Sequence, residues 1–285
     1  RRRGRDHRRR GGRASHHSES YEQDEHRAGG PNCSHEDRLE RRLTSAHDST
    51  RSTTDRRPRA TMTGPADWYT RTRLEFRHIA IEGPIGVGKT TLCRKLGARL
   101  EATVVRDETD NPFLADFAAG RPGAAFQAQL FSLLRRHRQQ VELRQSSLFA
   151  QQVVSDYLFD KDKIYAYLNL DDNELFIYQR LFDLLAADVV APDLVVYLQV
   201  PTDALQRRVG ARDREYRENG DVPPEPDYLR ELNEAYTHFF FHYSSTPLLV
   251  VETSHVDLEW GDSAIEDLLK QVRLIGQGTR YYVPR

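Results

Sequence analysis

The segment 79–92, IAIEGPIGVGKTTL, constrains the fold more than any other part of the chain. Residues 83–90 within it match the pattern G-x-x-x-x-G-K-[ST] in full. They follow an apolar run typical of a buried strand and precede a stretch typical of a helix. In such a loop, backbone N–H groups turn inward around a phosphate, and the N-terminus of the helix adds a favourable dipole. The segment therefore predicts an α/β fold with a site for a nucleoside triphosphate.

The residues of this loop have distinct expected roles. Lys89 is predicted to reach the β- and γ-phosphates of ATP, and Thr90 to bind Mg²⁺ through its hydroxyl. The N-K-x-D pattern with which GTPases read guanine does not occur in the sequence, and the fourth predicted strand ends in Gln199 rather than in the Asp-Glu pair usual in motor ATPases. The pattern thus favours phosphoryl transfer to a small molecule. The loop residues predicted to bind ATP are Gly83, Pro84, Ile85, Gly86, Val87, Gly88, Lys89, Thr90 and Thr91, and Arg212 and Arg214 are predicted to bind it from outside the loop.

Short apolar runs alternate with longer amphipathic stretches from residue 77 onward. Such alternation predicts βαβ units, and hence an α/β fold of the P-loop kinase type with a five-stranded parallel sheet and helices on both faces. The predicted strands are 78–82, 103–107, 152–155, 194–200 and 248–252. The predicted helices are 89–100, 126–148, 172–185, 202–210, 228–243 and 263–274, and a polar tail is expected after them.

The first 61 residues differ in composition from the rest of the chain. They contain 16 Arg and 10 Asp or Glu residues, and no Val, Ile, Phe or Trp. So few apolar side chains cannot offset the entropy of ordering, so we expect residues 1–61 to be disordered and residues 62–285 to form the kinase domain. Because the only Met is Met62, residues 1–61 are interpreted as sequence upstream of the true start. Acidic residues dilute the positive charge of this segment, and nucleic acid is not an expected partner.

The two cysteines, Cys33 and Cys93, provide neither a disulfide framework nor a metal-type spacing. No apolar run reaches the ~18 residues that a transmembrane helix needs, and no apolar stretch follows the N-terminal arginines as in a secretory signal. These features predict a cytoplasmic protein without a membrane partner.

Acids that follow the second and third predicted strands are candidates for activating an acceptor. In an open parallel sheet, ligands lie beyond the carboxyl ends of the strands, and the second strand is expected beside the strand of the phosphate loop. A kinase that acts on a hydroxyl needs a base near the γ-phosphate, and either Asp107 or Glu108 would serve, with Glu108 favoured. Glu108 is also predicted to join Thr90 as a metal ligand. Asp156 and Tyr157 are the corresponding candidates after the third strand.

Two further features point to an acceptor and a lid. Gln127 begins a long predicted helix, and its amide would offer both a donor and an acceptor to a nucleobase. A cluster of arginines after the fourth strand would close over the transferring phosphoryl group, with residues 219–226 as a hinge. The cluster consists of Arg207, Arg208, Arg212 and Arg214.

Taken together, these motifs resemble those of the bacterial deoxynucleoside kinases, which act on deoxyadenosine, deoxyguanosine and deoxycytidine. The resemblance extends from about residue 77 to residue 284. It rests on IEGPIGVGKTT (81–91), NPFLADF (111–117), FQAQLF (126–131), SDYLFDKDKIYA (155–166), PDLVVYLQV (192–200), YLRELNEAYTHFFFHY (228–243) and TPLLVVET (246–253).

The resemblance implies a five-stranded parallel sheet, a homodimer formed through helices, and transfer of the γ-phosphoryl group of ATP to the 5′-hydroxyl of a deoxyribonucleoside. Such a reaction serves nucleotide salvage. The residues carried over are Lys89 and Thr90 for ATP and magnesium, Glu108 or Asp107 as the base, Gln127 for the nucleobase, and Arg208, Arg212 and Arg214 for the lid, where Arg208 would act on the transferring group.

Three positions depart from the family pattern. Residues 155–157 read Ser-Asp-Tyr where the animal enzymes carry Glu-Arg-Ser, so no arginine is expected there, and Asp156 and Tyr157 are predicted to bind substrate. Ala118 replaces a tyrosine that touches the sugar 3′-hydroxyl in many relatives. Asp213 stands in the lid where many relatives have glycine.

Two other functions are compatible with the phosphate loop. A nucleoside monophosphate kinase similar to thymidylate kinase shares the loop and the PDLVVYL strand, but it usually has an Asp-Arg pair after the third strand, which this chain lacks. A non-catalytic nucleotide-binding protein, recruited to nucleic acid through its Arg-rich arm, is the second alternative. The intact Gly88-Lys89-Thr90 sequence is unfavourable to it.

Overall fold

The computed structural model describes residues 76–108, 110–146, 152–218, 222–256 and 258–284. The predicted disordered segment 1–61, the proposed start at Met62 and part of the proposed hinge, residues 219–221, lie outside this range. Across the part of the chain that is described, no helix is both long enough and apolar enough to cross a membrane.

A parallel sheet runs through the middle of the structure. Its strands are β1 (His78–Glu82), β2 (Thr103–Val105), β3 (Val153–Ser155), β4 (Leu194–Gln199), β5 (Leu248–Glu252) and β6 (Thr279–Tyr282). They lie in the spatial order β2-β3-β1-β4-β5-β6, and each pairing between neighbours is parallel. The five predicted strands are thus confirmed, with ends shifted by at most two residues.

The sixth strand corrects the predicted strand number. Residues expected in a polar tail pair with β5, from Leu248↔Thr279 to Val251↔Tyr282. β6 lies at the edge of the sheet, and its first three residues are exposed. A strand that is covered over little of its surface does not need a continuous apolar run, so its sequence gave no hydropathy signal.

The strand order also corrects the expected neighbour of the loop strand. β3 lies between β1 and β2, because Val154 pairs with Ile79 on one side and with Val104 on the other. Asp107 and Glu108 therefore follow an edge strand, and it is Asp156 that follows the strand beside the phosphate loop. Since parallel strands end at the same edge of a sheet, these acids still lie on one side of the molecule.

Helices pack on both faces of the sheet. The described ones are α1 (Lys89–Leu100), α2 (Leu114–Ala118), α3 (Ala124–Ser146), α4 (Lys161–Asn169), α5 (Asp172–Ala186), α6 (Thr202–Gly210), α7 (Asp213–Glu218), α8 (Pro226–Phe241) and α9 (Asp262–Leu274). The six predicted helices agree with these bounds to within two residues, apart from residues 147–148, which lie outside the described range.

Local sequence explains why some helices were predicted and others were not. α5 begins with a capping box, in which the Asp171 side chain accepts hydrogen bonds from the backbone N–H groups of Asn173 and Glu174. The short helices α2, α4 and α7 were missed. α4 opens with the charged run Lys161-Asp162-Lys163, whose side chains are buried, whereas a charged run ordinarily indicates a solvated turn.

Apolar side chains pack against each face of the sheet in a separate cluster. The first cluster includes Ala80 and Tyr197 and lies against α3, α4, α5 and α8, and the second includes Ile81 and Val196 and lies against α1, α6 and α9. Successive residues of β1 and β4 thus alternate between the two clusters. This is the expected arrangement for central parallel strands that are covered on both faces.

Cys93 belongs to the second cluster and lies on the inner side of α1. Its side chain is 1% exposed, and its Sγ donates a hydrogen bond of 3.5 Å to the carbonyl oxygen of Val154. Burial, together with the charge of Asp156, raises the pKa of the thiol to about 12. The cysteine therefore has a packing role, and it ties α1 to β3.

Candidate active site

The phosphate loop connects β1 to α1 through a tight turn. Gly86 and Gly88 have φ angles of 84° and 102°, in the left-handed region that favours glycine. A Cβ atom on Gly88 would lie 2.9 Å from Cδ2 of Leu258, so the Leu258 side chain would have to shift, and the positive φ would strain any residue other than glycine. The glycine spacing of the motif therefore follows from the path of the backbone before α1 begins.

Lys89 folds back over the loop that precedes it. Its Nζ donates hydrogen bonds to the carbonyl oxygens of Gly83 at 2.6 Å and Pro84 at 3.0 Å. Burial lowers the pKa of Lys89, and the carboxylate of Glu82 opposes this effect. The ammonium group thus lies inside the loop, where its predicted contact with phosphates requires it.

A cleft of about 410 Å³ opens beside the loop, at the carboxyl ends of β1, β2 and β3. Four of the nine loop residues predicted to bind ATP line it: Ile85, Gly86, Lys89 and Thr90. The other five, Gly83, Pro84, Val87, Gly88 and Thr91, form the turn and the start of α1 around them. The facing wall is formed by α2, α3, α4 and the segments that follow β2 and β3.

The two candidate bases after β2 occupy different environments in this cleft. Asp107 is enclosed, with its side chain 12% exposed, and it pairs with Lys161 and with Arg136, whose Nε lies 2.9 Å from Oδ1. Burial would raise the pKa of Asp107, but these two cations hold it well below its usual range. Glu108, the favoured candidate, is 46% exposed and pairs with Arg135. Its hydrogen bond from Arg135 lowers the pKa of Glu108.

A buried polar network extends from Asp107 along the facing wall. Arg136 also pairs with Asp162, whose side chain is fully buried and accepts a 2.9 Å hydrogen bond from the Tyr178 hydroxyl. Burial raises the pKa of Asp162, and the charge of Arg136 opposes the shift. Arg136, Lys161 and Asp162 all line the cleft, and the sequence analysis missed all three.

Thr90 and Asp156 come together at the foot of the cleft. Their side chains form a hydrogen bond, and Asp156 is 4% exposed, so that burial raises its pKa. A hydroxyl and a carboxylate are the hard oxygen ligands that Mg²⁺ accepts. The predicted partner of Thr90 at the metal, Glu108, is instead engaged with Arg135. Among the described residues, no group of three or more His, Cys, Asp or Glu side chains could hold a metal ion by itself.

The position of the predicted nucleobase ligand is corrected by the structure. Gln127 is exposed and lies outside the lining of the cleft, whereas Gln129 is 7% exposed and lines it. The Gln129 amide donates a 2.9 Å hydrogen bond to the backbone carbonyl of Asp162. Residues two apart on a helix point in nearly opposite directions, so only one of Gln127 and Gln129 can face the cleft.

Tyr157 also departs from its predicted role. Its side chain is 1% exposed and points away from the cleft, where its hydroxyl accepts a 2.9 Å hydrogen bond from the amide of Gln140. Burial raises the pKa of Tyr157 to about 12. Since successive residues beyond a strand end alternate in direction, Asp156 faces the loop and Tyr157 packs behind it.

The arginines of the predicted lid do not act as one group. Arg212 lines the cleft. Arg208 lies outside it and donates hydrogen bonds to the hydroxyl of Thr253, at 3.2 Å, and to the backbone carbonyl of the same residue. Arg214 pairs with Glu218 at 2.7 Å, and Arg207 pairs with Asp203 at 2.6 Å. Arg208 thus contacts the segment after β5, and its direct action on the transferring group stays a prediction.

The apolar part of the facing wall comes from α2 and α4. Phe117 and Tyr165 line the cleft, and Ala118, the position at which many relatives have tyrosine, does not. A hydroxyl is nevertheless present in the wall, because Ser132 lines it and accepts a 3.0 Å hydrogen bond from the amide of Asn111. The cleft thus combines flat apolar surfaces with buried polar groups, as small-molecule sites usually do.

Comparison with known proteins identifies the family. The family model described as deoxynucleoside kinase matches residues 79–275. The deoxyguanosine kinase of Bacillus subtilis (strain 168) is 31% identical over 160 residues, which is 55% of this chain and 75% of that protein. The deoxyadenosine kinase of Dictyostelium discoideum is 34% identical over 172 residues, covering 58% of this chain and 67% of that protein.

The fold agrees with a solved structure of related topology. A structure of deoxyadenosine kinase from M. mycoides, with the products dCMP and dCDP bound, superposes with a TM-score of 0.57 at 22% identity. The superposition covers 70% of this chain and all of that one, 100%. Together with the loop and the cleft, these matches show that the chain belongs to the deoxynucleoside kinase family and is an ATP-dependent phosphotransferase that acts on a deoxynucleoside.

Proposed function

We propose that the cleft transfers the γ-phosphoryl group of ATP to the 5′-hydroxyl of a deoxyribonucleoside, in nucleotide salvage. The observation that carries the proposal is the position of Asp107. It is an enclosed carboxylate in the same cleft as Lys89 and Thr90 of the phosphate loop. A hydroxyl that enters between them would meet a proton acceptor on one side and the phosphates on the other.

Asp107 replaces Glu108 as the base in this proposal. Asp107 is held in one orientation by Lys161 and Arg136, whereas Glu108 lies at the exposed rim. The two cations weaken Asp107 as a proton acceptor, but they keep it ionised and fix its geometry, which matters for proton transfer. Lys161 also supplies positive charge in the cleft, where it pairs with Asp107.

Thr90 and Asp156 would hold Mg²⁺. The ion would neutralise charge on the β- and γ-phosphate oxygens when bound. The loop N–H groups and Lys89 would hold the phosphates, and Arg212, which also lines the cleft, would add a further positive charge.

Gln129, Arg136 and Asp162 are the groups that we assign to the deoxynucleoside. An amide, a guanidinium and a carboxylate offer both donors and acceptors to the edge of a base. Phe117 and Tyr165 would pack against its faces.

Apolar side chains exposed on α3 and α5 support a homodimer. Leu134, Phe176, Ile177 and Leu184 are 49–70% exposed, and three of the four lie on α5. A cluster of this kind is typical of a subunit interface. Leu184→Arg should give a monomer in sedimentation experiments, and the control Leu274→Arg, at an exposed leucine of α9, should not. We further propose that the enzyme works in the cytoplasm, where the buried Cys93 would remain a free thiol.

The test is a phosphorylation assay with ATP and Mg²⁺ on the four deoxynucleosides. Ribonucleosides and deoxynucleoside monophosphates serve as controls. We expect a 5′-monophosphate product from at least one deoxynucleoside and slower reaction of the matching ribonucleoside. Phosphorylation of a monophosphate, without reaction of any nucleoside, would instead identify a nucleoside monophosphate kinase.

A further inference from the structure

Glu82 is a fully buried carboxylate for which the reaction described above has no use. It is the last residue of β1 and directly precedes the phosphate loop. Its Oε1 accepts hydrogen bonds from the N–H of Gly83 at 2.9 Å and from the hydroxyl of Tyr236 at 3.1 Å. Its Oε2 accepts one from the N–H of Leu158 at 2.7 Å. A buried carboxylate without such donors would be strongly unfavourable, so this arrangement is a built one.

The three donors belong to three different parts of the structure. Gly83 opens the phosphate loop, Leu158 lies between β3 and α4, and Tyr236 belongs to the core helix α8. The parallel pairing of β1 with β3 ends at the pair Ala80↔Ser155. Beyond that pair, the bond from Leu158 to Glu82 joins the end of β1, just before the loop, to the segment that carries Asp156 and Lys161.

The charge of Glu82 acts on the same segment. Burial lowers the pKa of Lys161, but Asp107 and then Glu82 raise it, so that the ammonium group stays charged beside Asp107. Glu82 thus supports both the position and the charge of the groups that face ATP.

We propose that Glu82 is a positioning residue for phosphoryl transfer, which fixes the phosphate loop relative to Asp156 and Lys161. The inference rests on the proposed function of the cleft. Loss of the Glu82 carboxylate should therefore change nucleotide affinity and turnover, in addition to any change in stability.

Glu82→Gln tests the proposal at constant side-chain size. A glutamine has one oxygen and one NH₂ group, so the NH₂ must face the N–H of either Gly83 or Leu158, and one backbone donor loses its partner. The Tyr236 hydroxyl can turn to accept a hydrogen bond from the new NH₂ group. The backbone N–H of Gly83 or Leu158 cannot, because it is only a donor. Tyr236→Phe is the matched variant that removes one donor only, and Glu234→Gln, at an exposed site of α8, is the neutral control.

The measurements are kcat, the KM for ATP, the KM for the deoxynucleoside and the calorimetric Kd for ADP, each normalised to the folded fraction. For Glu82→Gln we expect kcat to fall about 10-fold or more and the ADP affinity to weaken, with the deoxynucleoside KM within about twofold of wild type. Tyr236→Phe should change each value by about threefold or less. If Glu82→Gln does not fold, Glu82→Asp, whose carboxylate is drawn back from Leu158 by one methylene, is measured in its place with the same expectation.

An unchanged kcat and ADP affinity per folded molecule would overturn the proposal, and so would an equal weakening of both substrates. A wild-type protein that binds ADP but phosphorylates no deoxynucleoside would contradict the proposed function instead. In that case the ADP affinity of Glu82→Gln still decides the role of Glu82.

Discussion

The phosphate loop presents backbone groups from consecutive residues, whereas the opposite wall of the cleft presents charged side chains from α3, α4 and the segment that follows β2. On the loop side, a few glycines set the shape, and a Cβ atom on Gly83 would lie 2.7 Å from the backbone carbonyl oxygen of Leu198. On the opposite side, the chemistry depends on buried ions that hold each other: Asp107, Lys161, Arg136 and Asp162. The loop is thus a local structure that tolerates little change in backbone, and the opposite wall is a tertiary structure that tolerates little change in charge.

Removing the charge of Asp107 should have the largest effect on activity. Asp107→Asn should lower kcat by about 10²–10⁴-fold, because the amide cannot accept the proton of the substrate hydroxyl. Its neighbour provides the control, since Glu108→Gln alters an exposed side chain at the rim and should change kcat by about threefold or less. The reverse order of effects in a steady-state assay would return the role of base to Glu108.

Removing the central cation of the opposite wall should have the largest effect on stability. Arg136→Met leaves the fully buried Asp162 without its cation, which should lower the free energy of unfolding by about 3 kcal/mol or more. Arg135→Met removes a partly exposed pair with Glu108 and should cost less than about 1 kcal/mol. Urea unfolding of the two variants measures the difference, and equal losses would mean that the buried network is no more important than the rim.

A side chain on the loop should act through the backbone. Gly88→Ala forces alanine into a left-handed conformation against Leu258 and should lower the free energy of unfolding by about 1–3 kcal/mol, with a raised KM for ATP. Gly120→Ala is the control, because Gly120 has a φ of 64° but no atom within 4 Å of the added Cβ. It should cost about 1 kcal/mol and leave the KM unchanged. An equal change in the KM for ATP in both variants would contradict this expectation, because the effect would then not arise at the phosphate loop.

The smallest effect concerns pH. The folded pKa of Asp107 lies below the unfolded value near 3.8, because Lys161 and Arg136 outweigh the effect of burial. A carboxylate with a lowered folded pKa stabilises the fold above its unfolded pKa, and this contribution is lost as the pH falls further. Wild type should therefore lose stability relative to Asp107→Asn below about pH 4. Unfolding curves for both proteins from neutral to acidic pH provide the comparison, and parallel curves would argue against the ion pairs.

The difference between the two sides also explains what could be predicted from the sequence. The glycines, Lys89 and Thr90 are neighbours in the chain, so their arrangement is visible in the motif itself. Arg136 and Lys161 lie in the charged runs RRHR and DKDK, which ordinarily indicate solvated surfaces. Only the packing of α3 and α4 against the sheet buries them, and no local pattern encodes that event.

The sequence contains a pattern that favours Gln129 over Gln127 as the residue that faces the cleft. The residues of α3 that line the cleft are Ala125, Ala128, Gln129, Ser132 and Arg136, which recur at helical spacing. Gln129 fits this face and Gln127 does not. The central strands of the sheet were predicted correctly because buried parallel strands are apolar throughout. The edge strand β6 was missed because it is largely exposed and its sequence is not a continuous apolar run.

The buried Cys93 can be used to detect local opening between α1 and β3. Alkylation needs a thiolate, and a thiol that is 1% exposed, with a pKa of about 12, is nearly inert while α1 rests on β3. Modification of this residue therefore measures how often the helix behind the phosphate loop detaches. A nucleotide that binds the loop should slow that modification, and peptide mass spectrometry would distinguish Cys93 from Cys33. Ligand binding could thus be followed without any engineered label.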